Sequence, residues 1–334
     1  MFSLILCLME QRSVQFPVLA EKLNEESQAD SNLRRIQSFF ADYEVDYLCF
    51  AVLWLSLCEK HKLTLCIDRS NWKFGQQNIN ILCLTAYYKG VGLPIFFELL
   101  DKRGNSNQAE RIDLLQRFIE VFGKDRIGKI MGDREFIGEK WLSWLQTEQI
   151  PFIMRVPKHH LITFANGKEM TSEALLGDKS SVFYAHVQMD GIQTNVAIKR
   201  LKEDLLIVIG EHTKNILLEN YRQRWSIETF FQSIKKRGFN LEETHLQDLD
   251  RLKKLIALVI TAFLFCVHIG LWQDKNRQPI KVKNHGYKAN SFFRYGLNIW
   301  RNITAFIESR YEKLENLFNI LLQIILKNFT QKLV

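Results

Sequence analysis

The chain has 334 residues, a formal net charge of +8, and 47% hydrophobic against 25% charged residues. That length suits about two domains, and the apolar content argues against a disordered or collagen-like chain. The six cysteines, at positions 7, 49, 58, 66, 83 and 266, form no CxxC pair and no Cys/His ligand cluster. This speaks against a disulfide framework or a zinc site and predicts buried free thiols in a reducing compartment.

The opening MFSLILCLMEQR has no basic n-region and no small-residue cleavage site, so it reads as a helix that begins abruptly, not as a signal peptide. Residues 1–60 predict three or four short helices, with apolar stripes in 14–23 and 33–40 and a basic pair beside aromatics in NLRRIQSFFADY. A small DNA-binding module and a plain helical bundle fit this region equally. From residue 61 the pattern turns to strands: KLTLCID (62–68), INILCLTAYY (79–88) and LPIFFELL (93–100), joined closely enough for an antiparallel meander. SNQAERIDLLQRFIEVFG (106–123) predicts a helix with Ser106 as N-cap and Gly123 just past its end. RIGKIMGD (126–133), FIGEKWLSWLQTEQ (136–149) and PFIMRV (151–156) follow as strand, helix and strand. The order β-β-β-α-β-α-β predicts a mixed sheet flanked by helices.

Residues 157–211 break this rhythm. Asn166-Gly167 and Asp190-Gly191 are hairpin signals, and LLIVIG (205–210) is one more strand. A β-rich insertion is expected here, ahead of the segment YRQRWSIETFFQSIKKRGFN (221–240). Treated as one α-helix at about 100° per residue, that segment places Tyr221, Arg224, Glu228 and Lys235 within about 60° of one another. Ile227, Phe230, Phe231 and Ile234 form the apolar sector beside them, so the polar stripe would run along the edge of a cleft. Next, LIALVITAFLFCVHIGLW (255–272) is eighteen residues without a formal charge, the lower limit for a membrane span. Its polar flanks, with Thr261 and His268 inside it, favour a buried core helix. Residues 273–334 hold eleven Lys/Arg and four Asp/Glu, an excess suited to a phosphate backbone.

Two carboxylates, Asp68 and Asp133, end predicted strands, where functional crevices of open sheets lie. Each alone would more often cap a turn. Together, and with Glu228 as a third ligand, they suit hard divalent cations such as Mg²⁺ or Mn²⁺. A pair of such ions activates an attacking oxygen and stabilises the leaving oxygen of a phosphodiester. Arg224 and Lys235 would then bind neighbouring phosphates, and Tyr221 would bond or stack at the same edge.

The spacing Tyr221-x2-Arg224-x3-Glu228-x6-Lys235 resembles the Y-R-E-K signature of bacterial DDE transposases of the insertion-sequence-four family. LCIDRSNWKFGQQNINIL and GDREFIGEKW resemble the segments that carry that family's two catalytic aspartates. The resemblance runs from about residue 60 to about 300. It implies an α/β fold: an RNase H-like mixed sheet flanked by helices, interrupted by a β-strand insertion, with helical N- and C-terminal regions. The implied divisions are a helical, DNA-binding region 1–60, a catalytic core over 61–156 and 212–272, the insertion 157–211, and a basic helical region 273–334. The implied activity is divalent-metal-dependent cleavage of DNA at element ends and strand transfer into target DNA. The cofactor would be two Mg²⁺ or Mn²⁺ ions held by Asp68, Asp133 and Glu228, with Tyr221, Arg224 and Lys235 contacting DNA. Arg69 and Arg134, each following an aspartate, would help shape the DNA path, as would Asn71 and Trp72. The partners would be double-stranded DNA and a second copy in a synaptic homodimer, with no membrane, in the bacterial cytoplasm at the nucleoid. Family members have more sequence before the helical N-terminal region, so a shortened copy that only binds DNA is one alternative. A nuclease of the same core without strand transfer is another.

Overall fold

The computed structural model of the chain describes residues 1–305 except 25, 59, 60, 76 and 285, together with 315, 318, 319 and 322. Most of the expected basic C-terminal region beyond 305 therefore lies outside the described residues. In chain order the elements begin with four helices, α1 (Phe2–Gln11), α2 (Phe16–Ala20), α3 (Ala29–Asp42) and α4 (Tyr47–Ser56). There follow strands β1 (Leu63–Phe74), β2 (Gln77–Tyr88) and β3 (Val91–Leu99), helix α5 (Gln108–Phe122), β4 (Ile127–Gly132), α6 (Glu139–Thr147) and β5 (Phe152–Arg155). Next come β6 (Leu161–Thr163), β7 (Glu169–Thr171), β8 (Ser181–Met189), β9 (Ile192–Arg200) and β10 (Leu205–Gly210). Helices α7 (Lys214–Asn220), α8 (Trp225–Gln232), α9 (Leu249–Asn276) and α10 (Phe292–Thr304) complete the set.

Two compact units result: Met1–Glu59, Trp72–Ile79 and Phe230–Val334 form one, Lys60–Asn71 and Asn80–Thr229 the other. The sheet has the order β3-β2-β1-β4-β5-β10-β9-β8-β6-β7. Its first five strands are the RNase H-like arrangement, an antiparallel meander followed by two parallel crossovers. β1 runs parallel to β4, and β4 parallel to β5. Burial explains the hydrophobic runs: β2 is buried from Ile79 to Ala86, as expected of a strand covered on both faces. The strands after β5 extend this same sheet, because β10 pairs antiparallel with β5 and with β9. The β8–β9 hairpin turns at Asp190 (φ 45°) and Gly191 (φ 74°), the positive pair that a type I′ turn requires.

Two expectations need correction. Asn107, not Ser106, caps α5: its side chain accepts from Glu110 N while Glu110 returns to the Asn107 backbone. Asn at the N-cap with Glu three residues on closes both bonds of a capping box; Ser106 is one residue too early and is used elsewhere. Second, β1 does not end at Asp68 but continues to Phe74. The long β1–β2 hairpin supplies its hydrogen bonds past the point where pairing with β4 stops.

The helical unit is organised around α9. Leu252, Leu255–Val267 and Ile269 of this helix are buried, and α1, α3, α4 and α10 pack against it. Its polar Thr261 is satisfied inside the core: the hydroxyl donates to Ala257 O (2.8 Å) and accepts from Trp54 Nε1 (3.0 Å). The crossing of α9 and α10 is close because glycines meet there. A Cβ on Gly270 would run into the Phe292 carbonyl, and one on Gly296 into the Cys266 carbonyl. The six cysteines are free thiols, all buried except Cys49.

Candidate active site

The residues that carry the site come from three places in the sheet-bearing unit. β1 and β4 are parallel neighbours with Cys66 opposite Met131. Two residues further along each chain stand Asp68 and Asp133, so strand register brings the two aspartates side by side. β4 ends at Gly132 while β1 runs on, and the sheet steps down beside Asp68. Gly132 is itself required, since a Cβ there would sit 2.6 Å from Phe136 Cβ and 2.9 Å from Met154 Sδ.

The third carboxylate arrives on α8. The segment 221–240 is not one α-helix: Tyr221–Arg224 is a 3₁₀ turn, Trp225–Gln232 is α, and Ser233–Arg237 is a π turn. Tyr221 and Arg224 still share a face, because three residues make a full 3₁₀ turn. Arg224 and Glu228 share one by the α-helical i,i+4 relation. The approach of α8 to the sheet is set by Gly92 of β3, where a Cβ would lie 2.9 Å from Ser226 O and 3.1 Å from Ile227 N.

Arg224 stands at the centre of the site, its side chain 5% exposed. Nη1 donates to Asp68 Oδ2 (3.2 Å), Nη2 pairs with Glu228 Oε1, and Nη2 lies 3.9 Å from Asp133 Oδ2. Tyr221 Oη donates to Asp133 Oδ1 (3.2 Å), and the guanidinium lies 5.5 Å from the Tyr221 ring centre. The Arg69 amide holds the other oxygen of Asp68 at 2.7 Å. Three carboxylates thus face one cation. Burial pushes the Asp68 carboxyl up to about 6 although Arg224 opposes the shift, and Glu228 and Asp133 add to it. Burial also raises the Tyr221 hydroxyl. For Arg224, burial works against the charge but the surrounding Tyr221 and carboxylates win, and the guanidinium is held above its ordinary value.

The expected metal triad is therefore brought to one place but not to one point. Among the described residues no three His, Cys, Asp or Glu side chains are set as a ready metal cluster. The like-charged Asp68, Asp133 and Glu228 are spaced by the guanidinium between them. The donor set nevertheless fits a hard divalent cation: it is all carboxylate oxygen, partly exposed on Asp133 and Glu228 (35% and 27%), and the charge of the three ionised carboxylates exceeds that of Arg224.

The remaining expected site residues fall elsewhere. The Arg69 guanidinium is bound within the protein. All three of its nitrogens are engaged, with Glu135 (3.2–3.3 Å), Asn80 (3.0 Å) and Asn105 (3.0 Å), and its side chain is only 12% exposed. Arg69 braces the backbone after Asp68 to Glu135, two residues beyond Asp133. Glu135 also accepts from Ser106, whose hydroxyl accepts from the buried Arg111. No spacing signalled this brace; only the proximity of Glu135 to Asp133 in GDREF hinted at it. Arg134 is 40% exposed and shares Asp204 with Arg155. Lys235 belongs to the helical unit, where Nζ pairs with Glu242 (2.7 Å) and lies 5.2 Å from the centre of the Trp72 ring. Asn71 is exposed and Trp72 half-buried.

Residues 59–265 match the profile of a family described as the transposase DDE domain. No curated protein matches the sequence. Among solved structures, a chain of the cryo-EM structure of a piggyBac transposase synaptic complex with hairpin DNA is similar at 13% identity and a TM-score of 0.45, over 97% of this chain and 75% of that one. A likeness that slight carries no argument.

Proposed function

This chain belongs to the transposase DDE domain family, and on that premise we propose that Asp68, Asp133 and Glu228 are its catalytic carboxylates. A DDE transposase is a DNA-cleaving, strand-transferring enzyme that uses divalent metal ions. The observation that carries the assignment is the meeting of three carboxylates from β1, from the end of β4 and from α8 on the single buried Arg224. The ions would be Mg²⁺ or Mn²⁺, two per site, held by those three side chains. Such ions, when bound, supply activation of the attacking oxygen and charge stabilisation of the leaving oxygen.

The chain's own residues do the positioning. Tyr221 fixes the Asp133 carboxylate through its hydroxyl. Arg224 neutralises part of the carboxylate charge and, with an anionic backbone nearby, can exchange a carboxylate oxygen for a phosphate oxygen. Lys235 would contact DNA by giving up Glu242 for a phosphate, and half-exposed Arg134 by giving up Asp204. Arg69 holds the Asp68 end of the site in place through Glu135.

The finer assignment rests on the Y-R-E-K spacing: a bacterial transposase of the insertion-sequence-four family, acting as a homodimer on element terminal repeats and target DNA. We place it in the cytoplasm at the nucleoid. We also propose no membrane partner: α9 is long and apolar enough to span one, yet 83% of its apolar window is buried within the protein.

The test is cleavage of a labelled duplex carrying the flanking terminal repeats, for wild type and Glu228→Ala, with Mg²⁺, Mn²⁺ or EDTA. Cleavage at the repeat boundary that disappears in EDTA and in the variant is expected. A Glu228→Ala protein that cuts like wild type would overturn the assignment.

A further inference from the structure

Between α9 and α10 lies a short segment that the catalytic reading does not use. Residues 277–290, RQPIKVKNHGYKAN, carry four Lys/Arg and no Asp/Glu. Within it, Val282 and Lys288 form an antiparallel bridge. Lys283 N donates to Tyr287 O (2.9 Å), Ala289 N to Lys281 O (2.8 Å) and Gly286 N to Lys283 O (2.8 Å). The turn passes through Gly286 at φ 83°, with open space around it. These backbone bonds close the segment into a miniature hairpin.

Its base is mounted on both helices. Asp274, in the last turn of α9, accepts from Ile280 N (2.8 Å) and holds Lys288 Nζ at 2.6 and 2.7 Å through its two oxygens. Tyr295 of α10 donates its hydroxyl to Gln278 O (2.8 Å), and Ile280 is buried. The two helices cannot slide easily, since Gly270 and Gly296 set them backbone against backbone. The exposed part of the hairpin is chemically distinctive. Lys281 and Lys283 are exposed, Val282 is 64% exposed and Tyr287 75%. A solvated loop has no need of a large aromatic and a β-branched residue between lysines on a braced backbone.

We propose that this hairpin is a second DNA-contacting element, with Lys281 and Lys283 on phosphates and Tyr287 and Val282 packed into a groove of the duplex. The inference rests on the reading of the protein as a DNA transposase. Duplex DNA is the occupant that both halves of the surface fit. The unbalanced positive charge matches a phosphate backbone, and an amphipathic ring among lysines suits sugar and base edges beneath it. Because the mount is rigid, little ordering entropy opposes the contact.

The experiment measures affinity of the full chain for a terminal-repeat duplex against salt concentration. The proteins are wild type, the double variant Lys281→Gln/Lys283→Gln, and Tyr287→Ala, with thermal melting as the folding control. The double variant should lose about two phosphate contacts from the log–log salt slope and bind roughly tenfold to hundredfold more weakly near 0.1 M salt. Tyr287→Ala should bind several-fold more weakly with the wild-type slope, which separates the ring contact from the charge contacts. Wild-type slope and affinity in the double variant would overturn the inference alone, as would variants that change self-association but not DNA affinity. Failure of the wild-type chain to bind duplex would instead remove the transposase reading, and the hairpin assignment with it.

Discussion

Asp68 ties the site to pH. Its carboxyl sits at about 6 in the fold, mainly through burial, against an ordinary 3.8. A folded-state value above the unfolded one means the fold binds that proton more tightly. Asp68 therefore contributes stability that is fully present below about 3.8 and lost as pH rises through about 6, about 3 kcal/mol in all. Cation ligation has the opposite demand, because it needs the ionised group. DNA cleavage at sub-saturating Mg²⁺, where metal and proton compete for Asp68, should climb between about pH 5 and pH 7, and a flat profile over that range would count against Asp68 as a ligand. Arg224 gives a second reading of the same electrostatics. Arg224→Ala leaves three carboxylates facing one another and should cost about 3–5 kcal/mol, as loss of one partner from a buried ion cluster does. Mg²⁺ should raise the melting temperature of that variant more than that of wild type; equal shifts would mean that the carboxylates do not share a cation. Glu135→Ala strips Arg69 of its charged partner, leaving Asn80 and Asn105, and should destabilise by about 2–3 kcal/mol, because the largely buried guanidinium loses charge-assisted bonds. Both partners were plain in the sequence, yet their pairing was not: Arg69 and Glu135 are sixty-six positions apart, and only the β1–β4 register brings the Arg69 stretch of β1 beside the turn that carries Glu135.

Among the elements, strands were the more legible. Five core strands and the hairpin turns were readable because buried apolar runs and Asn-Gly or Asp-Gly pairs are local signals. The extension of β1 to Phe74 was not, because residues 69–74, RSNWKF, contain no continuous apolar run and owe their strand conformation to pairing with β2. The helix after the insertion shows the same limit. A uniform 100° wheel aligned Tyr221, Arg224 and Glu228, and the true 3₁₀ and α turns align them too. The π turn that carries Lys235 was invisible, since one extra residue per turn leaves no compositional mark. Gly92 is the element-scale test. Gly92→Val would push the backbone of α8 away from β3 at Ser226, moving Glu228 relative to Asp68. Cleavage should fall by at least about 100-fold, as an ångström-scale displacement of a catalytic group does, while the melting temperature drops by no more than overpacking warrants, about 1–3 kcal/mol. Full activity in a folded Gly92→Val protein would show that the contact does not set the position of Glu228.

For the whole molecule, the long apolar run of α9 posed the main question of class. Its hydrophobicity is used inside a helical unit, where α1, α3, α4 and α10 cover it. A detergent-free preparation should be monodisperse. Leu258→Lys, at a position 1% exposed, should unfold the helical unit rather than alter any partition into lipid; a stably folded variant would mean that this face is not core.

The sequence by itself determined the types of most elements, the three carboxylates and the Tyr221-Arg224-Glu228 alignment, because these depend on periodicity and on spacing within a few residues. Only the tertiary structure decided that Arg224 is the hub of the site, that Arg69 is a brace, that the inserted strands extend the core sheet, and that a basic hairpin is mounted on α9 and α10. Each of these depends on which distant segments share a register or a crossing, and burial and charge pairing between distant residues leave no periodic trace along a single chain.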